Sequence, residues 1–155
     1  MPKLFAAGGG HGIQLDVNPD SADIICFTNS VYRNTILHSI EIELPTKRQI
    51  RIANATHFLG MKLVALEARG ESDLFASHDF EDIINLIVHR REIVIDVAYN
   101  NAQTRSTIQN LLQTQMQNSS IYEATEAALS LSGNSFAIAN LTTNRMRMIV
   151  STQIA

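Results

Sequence analysis

Tryptophan is absent from this 155-residue chain, and cysteine occurs only once, at Cys26. A single cysteine excludes an internal disulfide, which agrees with a reducing compartment. Because Cys26 lies in an apolar run, it is predicted to be a buried structural thiol and not a nucleophile. With three prolines, seven glycines and 45% hydrophobic residues, the composition is typical of one compact domain with a real core.

Positive charge is not in surplus either. The 12 basic and 15 acidic residues give a formal net charge of −3, which argues against a broad nucleic-acid-binding surface. No apolar run approaches the roughly 18 residues that a membrane span needs, and the N-terminus lacks a signal-peptide pattern. We therefore expect a soluble, cytoplasmic protein that binds no membrane. The short basic clusters are predicted to be solvated surface: Lys47-Arg48, Arg90-Arg91 and Arg145-Arg147.

Strand patterns fall in the first third of the chain. Residues 1–11 end in a glycine run without periodicity and are predicted to form a flexible lead-in. Alternation predicts a half-buried strand at Ile13–Val17, and a shorter strand or buried loop is predicted at Ile24–Phe27. Two further alternating segments, Ile40–Leu44 and Gln49–Ala53, flank a polar turn and predict a β-hairpin.

Helical patterns fill most of the remainder. One helix is predicted to begin at Asn29 or Ser30 and to run through Leu37, and Asn54 is a predicted cap for the next. The predicted fold class is α+β, as one domain over residues 12–155, with a β-rich part at 12–53 and a helical bundle at 54–155. The later helices are predicted at Ala55–Arg69, Ser77–His89, Glu92–Tyr99, Ala102–Gln117, Ile121–Leu131 and Thr143–Ile154.

The segment Thr56–Ile84 carries charged residues at helical spacings inside apolar stretches. Leucines recur at the i, i+4, i+7 spacing from Leu59, which predicts a helix with one buried face. Lys62 and Arg69 are seven residues apart, so they share one flank of that helix. Charges placed in this way predict either a site or a specific structural contact.

Acidic residues follow at the start of the next helix. Ser77 is a predicted N-cap, and Asp79 and Asp82 come within the first turns, where the helix dipole favours negative charge. Two interpretations of the spacing stay open. Lys62 and Arg69 either reach a ligand or extend their charged ends from a partly buried helix and bridge these carboxylates.

Two parts of the sequence together resemble bacterial nucleotidyltransferase-fold proteins of the AbiEii toxin-like kind. The first is GIQLDVNP at residues 12–19, and the second is FLGMKLVALEARG continuing to SHDFEDII, at residues 58–84. In such proteins a strand bearing one Asp leads to a hairpin, a Lys-x-x-Ala-x-x-x-Arg helix and an Asp-rich helix start. The resemblance covers roughly residues 12–95.

This resemblance implies transfer of a nucleoside monophosphate from an NTP to an unknown acceptor, with Mg²⁺ as cofactor. It implies that Asp16 is a catalytic carboxylate and metal ligand. Lys62 corresponds to the catalytic, substrate-binding lysine that reaches the triphosphate, and Arg69 would add to its positive field. Asp79 and Asp82 correspond to the acidic helix start and would lie at the substrate.

The chain departs from the family pattern before Asp16. Such enzymes carry a Gly-Gly or Gly-Ser turn and an Asp-x-Asp or Asp-x-Glu strand upstream, whereas none of the 15 residues before Asp16 is acidic. Two of the three expected metal carboxylates are therefore missing, and Mg²⁺ prefers several hard oxygen ligands. We expect a truncated nucleotidyltransferase fold, active only if another polypeptide completes its carboxylates.

A catalytically inactive remnant is the alternative. In this hypothesis the chain is a binding or oligomerisation module of toxin–antitoxin type. An unpaired sheet edge at Ile13–Val17 would recruit a protein partner or a second copy.

A metal hydrolase is a third, weaker hypothesis. His78 and Asp82 have the i, i+4 spacing of metal ligands, but the chain has no His-Glu-x-x-His pattern. The residues that this hypothesis would use are His57, His78, Asp79, Asp82 and His89.

Overall fold

The computed structural model describes residues 30–70, 73–130 and 135–153, and those from Val31 onward belong to one compact unit. These ranges contain seven α-helices and one antiparallel hairpin, so the fold is α+β and mostly helical. None of these helices has both the length and the apolar character of a membrane span. The elements are α1 Ser30–Leu37, β1 Ile40–Glu43, β2 Gln49–Ile52, α2 Ala55–Arg69, the 3₁₀ turn Leu74–Ala76, α3 His78–His89, α4 Ile93–Ala98, α5 Ala102–Gln115, α6 Ile121–Ala128 and α7 Ser135–Ser151.

The hairpin is built as the alternation predicts. β1 and β2 are antiparallel, and Ile40 lies opposite Ile52 at the open end. At the turn, the Leu44 N–H donates to the Arg48 carbonyl at 2.8 Å, and Lys47 has the left-handed φ of 64°. Such a residue after a type I turn is a common way to close a three-residue hairpin loop.

Caps define the pair of helices that carries the charged segment. The Asn54 side chain accepts a hydrogen bond from the His57 N–H at the start of α2. The helix ends at Gly70, whose φ of 60° suits glycine and whose N–H donates to the Glu67 carbonyl. Ser77 caps α3 by accepting from the Phe80 N–H, which confirms the predicted N-cap.

The core lies between the helices. α2 packs against α3 and α5, and α7 packs against α3, α5 and α6. The buried apolar side chains come from every later helix and from the 3₁₀ turn. They are Leu59, Leu63, Leu66, Leu74, Phe80, Ile83, Ile84, Ile87, Ile93, Val97, Ile108, Leu112, Ile121, Ala124, Leu129, Ala139, Met146 and Ile149.

The last helix differs most from the sequence prediction. It begins at Ser135, eight residues before the predicted start at Thr143, and ends at Ser151. Its early turns bury small or polar residues, Ala139 and Thr142, while Phe136 is exposed, so the expected apolar period is weak there. The other predicted helices are found with ends shifted by up to three residues.

Some predictions lie outside the described residues. These are the lead-in at 1–11, the strand at Ile13–Val17 with its open edge, the segment Ile24–Phe27 and the domain start at residue 12. Within the described part, nothing marks the hairpin and helices as a truncated nucleotidyltransferase fold.

Candidate functional site

Packing of α2 on α3 brings Lys62 to two carboxylates of the acidic helix start. Leu59 and Leu63 face the core, which leaves Lys62 on the flank of α2 that borders α3. The Lys62 Nζ lies 2.9 Å from Asp79 Oδ1 and 2.7 Å from Asp82 Oδ2. One lysine therefore bridges two aspartates three residues apart on the next helix.

Arg69 completes this arrangement two helical turns further along α2. Its Nη1 lies 2.7 Å from Asp79 Oδ2, but the approach lacks the alignment of a hydrogen bond. Asp79 therefore has a cation beside each of its oxygens, Lys62 at one and Arg69 at the other. We call Lys62, Arg69, Asp79 and Asp82 the ion-pair cluster.

Burial is uneven across the ion-pair cluster. The Asp79 side chain is only 5% exposed, whereas Asp82 and Arg69 are 45% and 58% exposed. A carboxylate that is so deeply buried needs compensating positive charge, and two cations supply it. Asp79 is therefore the inner anchor, and Asp82 and Arg69 form the solvent-facing side.

The carboxylates also fix the protonation of Lys62. Burial of the ammonium acts to lower its pKa, but hydrogen bonding and charge attraction from Asp82 and Asp79 outweigh it, and the pKa is raised. The Nζ also lies 5.7 Å from the centre of the Phe58 ring, a further contact that favours a cation. Lys62 is thus held in its charged form, so it is unsuited to act as a general base.

The four predicted substrate-binding residues in the described part do come together. Lys62, Arg69, Asp79 and Asp82 form one contiguous cluster, as the interpretation of a structural bridge requires. Their two positive and two negative charges cancel. Asp16, the predicted catalytic carboxylate and metal ligand, lies outside the described residues.

The histidines of the metal-hydrolase hypothesis have separate surroundings. His78 is largely exposed beside Glu81, whereas the His57 side chain is buried at the start of α2. Within the described ranges, no group of three or more His, Cys, Asp and Glu residues is arranged to hold a metal ion.

His57 instead joins the ends of the hairpin to α2. Its ring stacks on His38 with a centroid distance of 4.7 Å and an angle of 10°. Its Nδ1 lies 2.9 Å from Asn54 Oδ1, and the Asn54 amide donates to the His38 carbonyl at 3.0 Å. Burial first, and the nearby His38 second, lower the pKa of His57. His57 is therefore a neutral structural group at neutral pH, which the sequence did not reveal.

Arg145 is a second residue whose role differs from the prediction. The basic cluster that contains it is predicted to be solvated, yet its Nη1 donates to the carbonyls of Ile87 and Val88, both at 2.8 Å. These carbonyls belong to the last turn of α3. A cation there donates to carbonyl oxygens that have no partner within the helix, and it interacts favourably with the helix dipole. No local sequence signal links α7 to residues nearly 60 positions earlier.

Open clefts in the described part lie elsewhere. One of about 300 Å³ lies beside the start of α2, where Asn54, Arg90, Asp96 and Tyr99 are among its lining residues. Another, of about 690 Å³, lies between the start of α5 and the end of α7. Neither cleft is lined by a member of the ion-pair cluster.

The chain matches no family model, no curated protein and no solved structure. The resemblance to nucleotidyltransferases therefore rests on residues 12–19 and 58–84 alone.

Proposed function

We propose that this chain acts as a binding and oligomerisation module whose contact surface is the hairpin. The observation that carries the proposal is the face formed by Ile40, Ile42, Ile50 and Ile52, which we call the isoleucine face. Cross-strand pairing of Ile40 with Ile52 and of Ile42 with Ile50 puts all four on one side of the sheet. Ile40, Ile50 and Ile52 remain 48%, 38% and 37% exposed.

Exposed apolar area on a hairpin favours association. Each Å² of apolar surface removed from water is worth roughly 25 cal/mol, so covering the isoleucine face is favourable. A hairpin of two strands is also marginally stable alone, and it gains from further strands on a hydrophobic face. In the part of the chain that the structure describes, the sheet has only these two strands.

The ion-pair cluster supports a structural role for the charges that suggested catalysis. Lys62 is already engaged by Asp79 and Asp82, so a phosphate group would have to displace a carboxylate to reach it. A neutral, internally paired cluster fits a clamp between α2 and α3. The hairpin is then the surface on which strand pairing brings four isoleucines together, while other exposed apolar side chains, such as Ile95 and Phe136, lie on the helices.

Oligomeric state tests the proposal directly. We expect the wild-type protein to associate in size-exclusion chromatography with light scattering, more so as concentration rises. The double variant Ile50→Thr, Ile52→Thr should be monomeric, because threonine keeps the strand preference but removes the apolar surface. Leu141→Gln on α7, at a site that is 50% exposed, is the matched control and should associate like wild type. A wild-type protein that stays monomeric at every concentration would overturn the proposal.

Nucleotide transfer is the second candidate, with carboxylates completed by another polypeptide. The observation that favours it is the open outer side of the cluster, where Arg69 is more than half exposed beside Lys62 and Asp79. An incoming triphosphate could exchange with the exposed Asp82 there. Mg²⁺, if bound, would supply charge neutralisation at the phosphates.

A magnesium-dependent NTP titration tests this second candidate. Binding should be lost in Lys62→Ala and in Asp16→Ala, and kept in the control Lys47→Ala on the exposed hairpin turn. Circular dichroism would establish that the variants are folded. Absence of NTP binding by the wild-type protein would eliminate the candidate.

A further inference from the structure

The two edges of the hairpin differ in charge. Opposite the isoleucine face, β1 carries Glu41 and Glu43, whereas β2 carries Gln49 and Arg51. One edge is therefore acidic, and the other combines a cation with a neutral amide. Because like charges directly opposite each other destabilise paired strands, the two edges cannot accept the same partner equally well.

Backbone geometry shows which residues face outward at these edges. The bond from the Leu44 N–H to the Arg48 carbonyl marks a hydrogen-bonded pair beside the turn. Bonded and non-bonded pairs alternate along antiparallel strands, so Ile42 and Ile50 form the next bonded pair. The backbone groups of Gln49 and Arg51 therefore point away from β1 and are available at the β2 edge.

The β1 edge is unsuited to pairing with itself. Antiparallel self-pairing that keeps the isoleucine faces on one side must place residues of matching parity opposite each other. Every such register that pairs more than one residue of Ile40–Glu43 puts Glu41 or Glu43 opposite a glutamate of the second copy. Each glutamate pair opposes association.

The β2 edge has a register free of this conflict. We propose that β2 pairs with β2 of a second copy, antiparallel, about a two-fold axis through Ile50. Gln49 then lies opposite Arg51 of the second copy, twice by symmetry, and the outward backbone groups of both residues form the bonded pairs. The guanidinium can donate to the glutamine carbonyl oxygen.

The neighbouring registers are less favourable for pairing, and the proposed register gives a closed dimer. A shift by two residues in one direction places Arg51 opposite Arg51 of the second copy, which is repulsive, and the same shift in the other direction pairs only Gln49 with Gln49 within the four residues of β2. With Ile50 on the axis, the two copies form a four-stranded sheet in which Ile50 packs beside Ile50 of the second copy, and both isoleucine faces lie on the same side of the sheet. A two-fold interface of this kind is self-complementary and forms a dimer instead of a fibre. The inference rests on the proposed function, which it deepens by naming the edge, partner and register.

Disulfide trapping tests the register in the full chain. In a Cys26→Ser background, Ile50→Cys should give a covalent dimer on mild oxidation. Directly opposed residues of a non-bonded pair have Cα atoms about 4.5 Å apart, within the range for a disulfide. Ile42→Cys is the matched control and should stay monomeric, since two copies of β1 would be three strand spacings apart, about 14 Å.

A charge variant tests the pairing without cross-linking. Gln49→Lys places a lysine opposite Arg51 of the second copy and should raise the dimer dissociation constant about five-fold or more. Within its own chain the new lysine faces Glu43, so the hairpin itself is not weakened. Thr46→Lys in the turn should leave the dissociation constant unchanged.

The outcomes separate the two proposals. A wild-type dimer in which Ile50→Cys fails to cross-link, or in which Ile42→Cys cross-links instead, overturns the β2 pairing and leaves the hairpin as contact surface. A dissociation constant that Gln49→Lys and Thr46→Lys raise equally also overturns it. A monomeric wild-type protein overturns both the pairing and the proposed function.

Discussion

In the helical part of this protein, charged residues lie among apolar ones, and each member of the ion-pair cluster has an oppositely charged partner. In the hairpin, apolar residues lie among charged ones, and three of the four isoleucines remain over a third exposed. The unusual residues of the first region are thus satisfied within the fold, while those of the second are not. The proposed function therefore rests on the isoleucine face and not on the ion-pair cluster.

The largest expected effect is the loss of the buried carboxylate in the helical region. Asp79→Ala removes the anchor that Lys62 and Arg69 share, and we expect unfolding to become easier by about 1.5 to 3 kcal/mol, because Lys62 keeps Asp82 as a partner and Arg69 is 58% exposed. Asp82 is 45% exposed, so Asp82→Ala should cost at most about 1 kcal/mol. Urea unfolding followed by circular dichroism would measure both.

Glu81→Ala is the control for this comparison, because Glu81 is also an acid in the first turn of α3 but does not contact Lys62. It reports the share of the effect that comes from the helix dipole, about 0.3 to 1 kcal/mol. Equal losses in Asp79→Ala and Glu81→Ala would contradict the clamp and leave the ion-pair cluster open to a ligand role.

A smaller loss of stability is expected when Arg145 is replaced. This replacement tests whether charged side chains outside the ion-pair cluster also stabilise the helical part. Arg145→Met removes the donor to the Ile87 and Val88 carbonyls and should destabilise the protein by about 1.5 kcal/mol, the lower end of the range for a charged donor, because Arg145 is only partly buried. Arg147→Met should change stability by less than about 0.5 kcal/mol, because Arg147 is exposed. Thermal or urea unfolding of both variants would check this, and equal stabilities would refute the capping role.

Local features of the fold could be predicted from the sequence. The caps at Asn54 and Ser77 depend on a side chain and a backbone N–H three residues away, so their signal is contained in a few positions. Both hairpin strands likewise follow from alternation. The start of α7 could not be predicted, because Thr142 bonds the Ile138 carbonyl and is buried, although it looks polar in the sequence.

Only part of the ion-pair cluster could be predicted from the sequence, because local signals do not describe how helices pack together. Spacing predicts that Lys62 and Arg69 share a flank, and that Asp79 and Asp82 begin the next helix. Which carboxylate oxygens Lys62 and Arg69 contact depends on how α2 packs on α3. No local sequence pattern contains that information. Arg145 reaches carbonyls 57 and 58 residues earlier in the chain, so its role is a property of the packed bundle alone.

The smallest expected effect concerns the junction of the two regions, where His57 connects the hairpin ends to α2. Burial first and His38 second lower the pKa of His57 below 6.5, the ordinary value that the unfolded chain keeps. As pH falls through this window, the unfolded state binds more protons than the folded state, so the free energy of unfolding decreases. Its contribution is complete above about pH 6.5 and is lost progressively until the folded pKa is passed.

His57→Asn tests this assignment, because the asparagine amide can replace the Nδ1 contact to Asn54 but does not titrate. We expect the urea midpoint of the variant to vary less between pH 7.5 and pH 5 than that of the wild type. His78→Asn, at an exposed histidine, should keep the wild-type pH dependence. If the pH dependence survives in His57→Asn, His57 is not the group whose protonation lowers the stability of the fold.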